Sequence, residues 1–281
     1  MSAQQRTNVR YGQHFLVSGH IADRIIESAH LNAHDIVLEI GPGKGILTER
    51  LIEKVQKVIA VEVDRKLAEE LKRRFWGKKN FHIVIDDILS IDLPTLFSGE
   101  KDKVKVVSNI PYYISTPIIE LLIKNRSLVS HAVLMVQKEV AKRILAQPGS
   151  KEYGLTSINV ALCADVKRVM DVKPGAFTPP PAVISSVISL VFNESYRYPL
   201  NDADILWAVT GAAFRGRRKM IRNTFVPYLV SLGITESDAQ HLLATAGVDG
   251  RERPEALDVG TFVALSNALG DFFSRHRVHE R

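Results

Sequence analysis

Continuously apolar runs alternate with amphipathic segments along the first half of the chain. The runs predict strands at residues 35–40, 58–63, 81–85, 104–107 and 132–137. The amphipathic segments predict helices at residues 46–54, 65–75, 116–123 and 138–145. Apolar strands that alternate with helices are typical of an α/β fold, in which helices cover both faces of a parallel sheet.

The pattern changes after residue 150. A predicted helix at 155–164 precedes strands at 166–172 and 183–192 with no helix between them, so we expect an antiparallel pair that closes the sheet. After a polar connector at 193–201, only helices are predicted, at 202–214, 219–231 with Pro227 inside, 235–246 and 258–273. The expected domains are an α/β domain at residues 1–195, which begins with a basic arm, and a small all-α domain at 196–281.

A glycine-rich loop follows the first predicted strand. Gly41, Gly43 and Gly45 lie between a strand and a helix, where glycines let a ligand approach the backbone. In the dinucleotide fingerprint, G-x-G-x-x-G, the third glycine comes one residue later, at the position that Ile46 occupies here. The loop indicates a nucleotide-like site rather than a pyrophosphate cradle, and a tight turn without a ligand is the alternative.

Polar side chains also follow the next three strands. Glu62 ends the second strand, Asp86 and Asp87 follow the third, and Asn109 follows the fourth. Ligands of open α/β sheets bind at the carboxyl ends of the strands, where an acid can accept both hydroxyls of a ribose. One aspartate is expected to accept from an adenine amine and the other to cap the next segment. Each residue alone is typical of a solvated strand end, but the set indicates an adenosine pocket.

Residues 108–115, Ser-Asn-Ile-Pro-Tyr-Tyr-Ile-Ser, indicate a site for a flat, nitrogen-bearing ring. Asn109 offers an acceptor, the Ile110 carbonyl precedes Pro111 and so lies in extended chain, and Tyr112 offers a stacking face. Phe177 precedes a triple proline. It is expected either to stack on a base opposite Tyr112 or to lie in the core.

An adenosine pocket without a phosphate cradle fits S-adenosylmethionine. The methyl group of this cofactor is already electrophilic beside a sulfonium, so the enzyme mainly has to align acceptor, methyl and sulfur. Neither a metal nor a covalent nucleophile is required, and no Cys/His cluster has zinc-ligand spacing.

The charge pattern indicates a polyanionic partner. The formal net charge is +6, and five cations without an acid fall within eight residues. They predict phosphate contacts with a strong salt dependence, and a solvated surface is the alternative. These cations are Arg215, Arg217, Arg218, Lys219 and Arg222.

Compartment and redox state follow from what the chain lacks. Cys163 is the single cysteine, so no disulfide framework exists. The N-terminus is polar, and no apolar run approaches transmembrane length, so we expect a cytoplasmic protein.

Four segments carry a family pattern: Tyr11-Gly-Gln-His-Phe-Leu16, the glycine loop, Asn109-Ile-Pro-Tyr-Tyr-Ile-Ser115 and Ala176-Phe-Thr-Pro-Pro-Pro-Ala-Val-Ile-Ser185. With them the chain resembles the rRNA adenine N6,N6-dimethyltransferases. Within that family it is similar to the bacterial small-subunit (16S) branch, whose loss gives kasugamycin resistance. The resemblance extends from about residue 10 to 270 and implies a Rossmann-like class I methyltransferase sheet with an antiparallel closing strand.

The resemblance also implies an activity. The substrate would be two adjacent adenosines in the 3′-terminal hairpin of small-subunit rRNA, dimethylated at N6 late in ribosome assembly within a pre-assembled particle. Tyr112 and Phe177 would stack the adenine, and Asn109 with the Ile110 carbonyl would accept hydrogen bonds from N6. The helical domain and its cations would dock the particle, and we expect a monomer. The residues implied for the cofactor are His14, Leu16, Gly41, Glu62, Asp87 and Asn109.

Some positions depart from the family pattern, and other functions stay open. His14 stands where many members have Asn, and Ser108 and Ile110 replace Gly and Leu. The large-subunit rRNA methyltransferases of macrolide resistance share the fold and the Asn-Ile-Pro-Tyr motif, but residues 213–222 are more similar to the small-subunit branch. A non-catalytic assembly factor is disfavoured by the intact set of site residues, and a nicotinamide oxidoreductase by Ile46.

Overall fold

The chain folds into two compact units, and the computed structural model describes residues 14–277 of it. Within that range the first unit comprises residues 14–142 and 164–194, and the second comprises 143–163 and 195–277. The predicted basic arm, with Arg6 and Arg10, lies outside the described residues, as do residues 11–13 of the first family segment.

Within the described residues the first unit contains nine strands. They are β1 (Phe15–Leu16), β2 (Ile36–Ile40), β3 (Lys57–Glu62), β4 (Phe81–Ile85), β5 (Val104–Asn109), β6 (Val129–Gln137), β7 (Ala164–Val172), β8 (Phe177–Thr178) and β9 (Ser185–Phe192). Seven of them form one sheet in the order β4-β3-β2-β5-β6-β9-β7, and β1 pairs with β8 separately.

The large sheet is parallel from β4 to β6, and β9 joins it antiparallel to both β6 and β7. The predicted α/β fold with an antiparallel closing pair is therefore confirmed. The parallel strands are apolar because both of their faces are covered, and all five residues of β2 are buried.

In the described part of the chain six helices accompany these strands, and the last of them leads into the second unit. They are α1 (Gly19–Ser28), α2 (Ile46–Ile52), α3 (Arg65–Arg74), α4 (Leu93–Leu96), α5 (Ser115–Lys124) and α6 (Lys138–Ile144). Short 3₁₀ turns occur at Ile88–Ser90, Tyr112–Ile114 and Pro174–Ala176.

The second unit contains no strand among its described residues. Its helices are α7 (Leu155–Cys163), α8 (Ala203–Phe214), α9 (Arg222–Ser231), α10 (Glu236–Thr245) and α11 (Val259–Arg277), with a 3₁₀ turn at Pro254–Ala256. Pro227 lies inside α9, as its sequence position indicated. The predicted all-α character of the C-terminal region is confirmed.

The chain passes between the units at three points. One of them, between residues 194 and 195, lies at the predicted domain boundary. The other two, at 142/143 and 163/164, place residues 143–163 in the second unit, whereas the sequence assigned them to the α/β domain. The apolar pattern of α7 predicts a buried helix, but it carries no information about which unit that helix packs with.

Side-chain caps define where several helices begin. Ser18 accepts from the Ile21 amide at the start of α1, and Asp64 accepts from the Lys66 and Leu67 amides at the start of α3. Each cap satisfies amide donors that have no partner within the helix. Across residues 14–277 no helix has both the length and the apolar character needed to cross a bilayer.

Candidate active site

The carboxyl ends of β2, β3 and β5, together with the turn after β4, border one cavity of about 540 Å³. These ends meet because the strands are parallel neighbours in the sheet. The cavity brings together most of the site residues named from the sequence. Those that line it are His14, Leu16, Gly41, Glu62, Asp86, Asp87, Asn109, Ile110, Pro111 and Tyr112.

The glycine loop turns sharply beneath the cavity. Gly43 has a φ of 57°, and a Cβ at this position would lie 3.0 Å from Cδ1 of Phe15. A side chain here would be both strained and crowded. The conformation aims the Gly43 amide at Glu62, so the loop orders a cavity carboxylate instead of folding only as a turn.

Glu62 is the last residue of β3, and only 2% of it is exposed. Its Oε2 accepts from the Gly43 amide at 3.1 Å, and its Oε1 accepts from the Asp64 amide at 3.0 Å. Burial raises the pKa of this carboxyl, and the two amide hydrogen bonds oppose that rise. A carboxylate oxygen has more than one acceptor site, so both oxygens can still receive ligand hydroxyls.

Glu39 is a cavity residue to which the sequence assigned no role. It lies in β2 with 2% exposure, and its Oε2 accepts from the Thr48 hydroxyl at 2.7 Å. Burial raises the pKa of Glu39 to about 8. The carboxyl is therefore mostly protonated at pH 7, and it lies under the glycine loop as a neutral group. A carboxylate within an otherwise apolar run was the signal that could have identified it.

Asp86 and Asp87 have different roles in the turn after β4. Asp87 caps the 3₁₀ turn by accepting from the Leu89 amide at 3.0 Å, and Asp86 accepts from the Asp87 amide at 2.8 Å. Both side chains are exposed at the cavity. The capping aspartate is thus the residue that the family pattern assigns to the cofactor. A cap through Oδ1 leaves the second oxygen of Asp87 for a ligand.

Asn109 ends β5 at the cavity. Its Nδ2 donates to the His14 carbonyl at 3.4 Å, and no described residue donates to its Oδ1. The side chain is therefore oriented with its acceptor available. The preceding Ser108 is fully buried, and its hydroxyl donates to the Ile40 carbonyl, which ties β5 to the end of β2.

Tyr112 opens the 3₁₀ turn that follows Asn109. Its hydroxyl lies 2.6 Å from Oγ of Ser185, and burial raises the pKa of this phenol. The His14 ring lies 5.7 Å from the Tyr112 ring, centroid to centroid, with 30° between the planes. Nδ1 of His14 lies 2.8 Å from the Pro179 carbonyl, to which it donates. Tyr112 is thus a fixed aromatic wall of the cavity.

Phe177 is placed in the core. It is 3% exposed, belongs to the main hydrophobic cluster of the first unit and is not among the cavity-lining residues. β8, which contains it, pairs with β1 and places Phe177 opposite Leu16. The sequence left two positions open for Phe177, and the structure has the one in the core. The β1–β8 pairing directs the ring inward.

The side chain of Lys44 also lines the cavity, although the sequence analysis did not predict it as a site residue. Its Nζ lies 5.0 Å from the centroid of the Phe15 ring, and both residues line the cavity. A cation over an aromatic face is attractive, although the contribution is small at an exposed site.

The five predicted RNA-contact cations lie in the second unit and differ in their contacts. Arg217 is part of the fold: Nη2 donates to the Lys151 and Tyr153 carbonyls, the latter at 2.7 Å, and Nε lies 3.4 Å from Oε2 of Glu255. The Arg215 guanidinium lies 5.6 Å from the Tyr228 ring centroid. No ion pair within the described part of the chain involves Arg218, Lys219 or Arg222, and all three are exposed.

The cavity thus joins two kinds of chemistry. At one side are an oriented carboxylate and the exposed aspartates, which suit a ribose and an amine. An amide oxygen and a phenol ring line the same cavity, which suits the recognition of a planar amine-bearing ring.

Comparison with known proteins identifies the family. The family model described as ribosomal RNA adenine dimethylase matches residues 4–269. Proteins named ribosomal RNA small subunit methyltransferase A are similar over nearly the whole chain. The Pseudomonas fluorescens protein is 40% identical over 268 residues, 95% of this chain and 96% of its own length. The Geobacter metallireducens protein is 39% identical over 265 residues, 94% of this chain and 96% of its own.

Solved structures agree. A dimethyladenosine transferase from Plasmodium falciparum superposes with a TM-score of 0.78 at 30% identity, covering 92% of this chain and 98% of that one. The 23S rRNA methyltransferase ErmE superposes with a TM-score of 0.66 at 24% identity, covering 91% and 99%, and so shares the fold. The chain belongs to the ribosomal RNA adenine dimethylase family.

Proposed function

We propose that this enzyme transfers methyl groups from S-adenosylmethionine to N6 of two adjacent adenosines in the 3′-terminal hairpin of small-subunit rRNA, giving N6,N6-dimethyladenosine during ribosome assembly. The observation that carries the proposal is that the Glu62 carboxylate and the Asn109–Tyr112 segment line the same cavity. One part of the cavity suits the cofactor and the other suits the target base.

The residues present fit the cofactor. A volume of about 540 Å³ lies within the usual range for small-molecule sites. Glu62 would accept hydrogen bonds from the ribose hydroxyls, and Asp87 would accept one from the adenine amine. Leu16 would make an apolar contact, and the cofactor would come close to the backbone of Gly41. His14 would contribute through its backbone. When bound, S-adenosylmethionine supplies an electrophilic methyl group beside a sulfonium.

The chain's own residues orient the acceptor. The lone pair on an adenine amine delocalises into the ring, so the free base is a poor nucleophile. Asn109 Oδ1 and the Ile110 carbonyl would accept hydrogen bonds from the N6 amine, which would turn its lone pair out of the ring plane. Contacts that are stronger in that geometry than in the planar base favour the transition state over the ground state.

Tyr112 would hold the base by stacking. Its ring is fixed by Ser185 on one side and His14 on the other, so little side-chain entropy is lost when a base binds. Pro111 restricts the segment that carries both the acceptor and the ring. Phe177 would support β8 from the core, and the proposal assigns it no direct contact with the base.

Binding of the ribosomal particle would use the second unit. Arg218, Lys219 and Arg222 are exposed cations without ion pairs among the described residues, which suits phosphate contacts. Extrusion of a target base from its RNA context needs such contacts to offset the cost of unstacking. A pre-assembled small subunit in the cytoplasm is the proposed substrate, with the enzyme acting as a monomer.

The test is transfer of labelled methyl from S-adenosylmethionine to unmodified small and large ribosomal subunits, with the labelled nucleotide identified. Dimethyladenosine at two neighbouring positions of small-subunit rRNA is the expected product. Label in large-subunit rRNA would support the macrolide-resistance type of activity instead. No label in either subunit, with the particle still bound, would support a non-catalytic assembly factor.

A further inference from the structure

Trp76, just after α3, is far more exposed than a tryptophan usually is. It is 89% exposed, the largest exposed fraction of any large hydrophobic side chain among residues 14–277. A tryptophan can bury about 150–250 Å² of surface, so its exposure leaves a large apolar area in water. Single apolar residues on a surface are common, so this exposure needs a second observation to carry meaning.

The second observation is the charge around it. Five of the eight positions from 72 to 79 are Lys or Arg. Three of these cations are neutralised by ion pairs, namely Lys72 with Glu69 at 3.0 Å, Arg74 with Glu49 at 2.9 Å and Lys78 with Glu53 at 2.7 Å.

The remaining two cations, Arg73 and Lys79, are exposed, and neither has an ion-pair partner in the described part of the chain. Along the sequence, Trp76 therefore lies between two cations whose charge is available to a partner.

The backbone that presents Trp76 is held firmly. Phe75 is 8% exposed and packs edge-on against Phe81 at 5.3 Å between centroids. Asn80 donates from Nδ2 to the Ile52 and Val55 carbonyls at 2.9 and 3.1 Å. The indole thus projects from a segment anchored on both sides, so that stacking on it would cost little ordering of the chain.

We propose that Trp76, Arg73 and Lys79 form a second RNA contact, in which the indole stacks on an unpaired base and the two cations bind the adjacent phosphates. Trp76 does not line the cavity, so this contact is separate from the proposed catalytic centre. Every base presents a π face whatever the RNA sequence. An aromatic platform flanked by cations is the usual way of binding single-stranded RNA. The proposal rests on the proposed rRNA substrate.

An RNA partner fits this surface better than a protein does. The exposed residues within four sequence positions of Trp76 are Lys, Arg and glycine, so the adjoining chain adds no exposed apolar side chain to the indole. A protein-docking patch would have an apolar centre of several hundred Å². A single indole between uncompensated cations matches a base and its phosphates.

The test measures binding of unmodified small subunits across a range of salt concentrations. Trp76→Ala is expected to weaken binding about tenfold, within the range for loss of one stacked base, and Trp76→Tyr is expected to restore most of it. Arg73→Gln with Lys79→Gln is expected to reduce the slope of log K against log[salt] by about 1.5. The matched control, Lys72→Gln with Lys78→Gln, removes two cations that are already paired and should leave that slope nearly unchanged.

A spectroscopic measurement complements the binding data. The chain has two tryptophans, so in a Trp207→Phe background Trp76 is the sole indole fluorophore. Addition of a short single-stranded oligoribonucleotide at low salt is expected to quench that fluorescence by stacking. Unchanged affinity of Trp76→Ala together with an unquenched signal would overturn the proposal.

Two further outcomes separate this inference from others. If Trp76→Ala binds more weakly but Arg73→Gln with Lys79→Gln keeps the full salt slope, the partner is a ribosomal protein and the RNA assignment is wrong. If the wild-type enzyme methylates small subunits and Trp76→Ala binds them normally, only this inference fails. A wild-type enzyme that methylates no small subunit would instead contradict the proposed function.

Discussion

The Tyr112 hydroxyl and the Ser185 hydroxyl lie 2.6 Å apart, which joins the segment after β5 to the first residue of β9. Ser185 is fully buried, and its hydroxyl holds the phenol of Tyr112 in place. The hydrogen bond fixes the aromatic wall on which the target base is proposed to stack. Ser185 is therefore a positioning residue rather than one that touches the substrate.

The first prediction concerns this pair. Ser185→Ala and Tyr112→Phe each remove one partner and are expected to lower kcat about fivefold, the equivalent of one ordinary hydrogen bond. The double variant should lose no more than either single variant, because both changes delete the same interaction. The measurement is a double-mutant cycle on kcat, with cofactor affinity expected to stay constant.

Ser186→Ala is the matched control. The neighbouring hydroxyl is equally buried and donates to Oδ1 of Asp171, not to the cavity. Its loss should change the free energy of unfolding and leave kcat unchanged. Additive losses from Ser185→Ala and Tyr112→Phe would mean that the two residues act independently.

A second prediction concerns the amine acceptor. Asn109→Ala is expected to reduce methyl transfer at least about a hundredfold, as removal of one group aimed at the transition state commonly does. The melting temperature should fall only slightly, because the side chain makes one long hydrogen bond, 3.4 Å, to the His14 carbonyl. The assay is labelled-methyl incorporation into small subunits. If the variant modified RNA at the wild-type rate, Asn109 would not be the hydrogen-bond acceptor for the target amine.

The third prediction is a pH dependence set by Glu39. Burial raises its pKa from an ordinary value of 4.5 to about 8. Between these values the unfolded chain releases the proton while the folded chain keeps it, so rising pH favours the unfolded state. Relative to Glu39→Gln, the wild-type enzyme should lose stability, on the order of a few kcal/mol, as pH rises from about 5 to 8.

The measurement is the melting temperature of both proteins without cofactor across that pH range. Glu62 also has a raised pKa and is present in both proteins, so its own burial cancels in the difference, whereas its repulsion of Glu39 is part of the Glu39 effect. Parallel curves for the wild type and Glu39→Gln would show that Glu39 is ionised in the folded protein at neutral pH.

A fourth prediction separates cations that the sequence grouped together. Arg218→Gln with Lys219→Gln is expected to weaken particle binding and flatten its salt dependence, with the melting temperature unchanged. Arg217→Gln is expected to lower the melting temperature instead, since its guanidinium binds two carbonyls and lies beside Glu255. Particle binding at several salt concentrations, together with thermal melting, distinguishes the two kinds of cation. If Arg217→Gln flattened the salt dependence as much as the Arg218 and Lys219 changes do, Arg217 would also contact RNA.

The fifth prediction tests the cofactor directly. S-adenosylmethionine at a hundred times its Kd should stabilise the enzyme by about 2.7 kcal/mol through binding linkage, and NAD should not. Thermal melting with each compound is the measurement. A shift with NAD alone would favour the oxidoreductase interpretation of the glycine loop.

Much of the large sheet was predictable because parallel strands are continuously apolar. The predicted strands and helices are confirmed to within a few residues at most ends. α1 was missed although Ala22, Ile25 and Ile26 are buried at helical spacing after the Ser18 cap. β1 and β8 have two residues each, too few to show any period.

The candidate site was predictable where residues follow strand ends, because parallel strands bring those ends together. Gly41, Glu62, Asp87 and Asn109 are of this kind. Contacts that depend on distant chain were not predictable. The burial of Phe177 follows from its pairing opposite Leu16, and the internal role of Arg217 follows from carbonyls more than 60 positions earlier in the sequence.

The pairing of β1 with β8 has a consequence for biosynthesis. His14 and Pro179, which are in hydrogen-bond contact, are separated by 165 positions in sequence. The first wall of the cavity leaves the translating ribosome early, but the strand that secures it emerges only after all five parallel strands have been made. A nascent chain therefore cannot hold His14, Phe15 and Leu16 in their final pairing at the cavity until translation has passed β8.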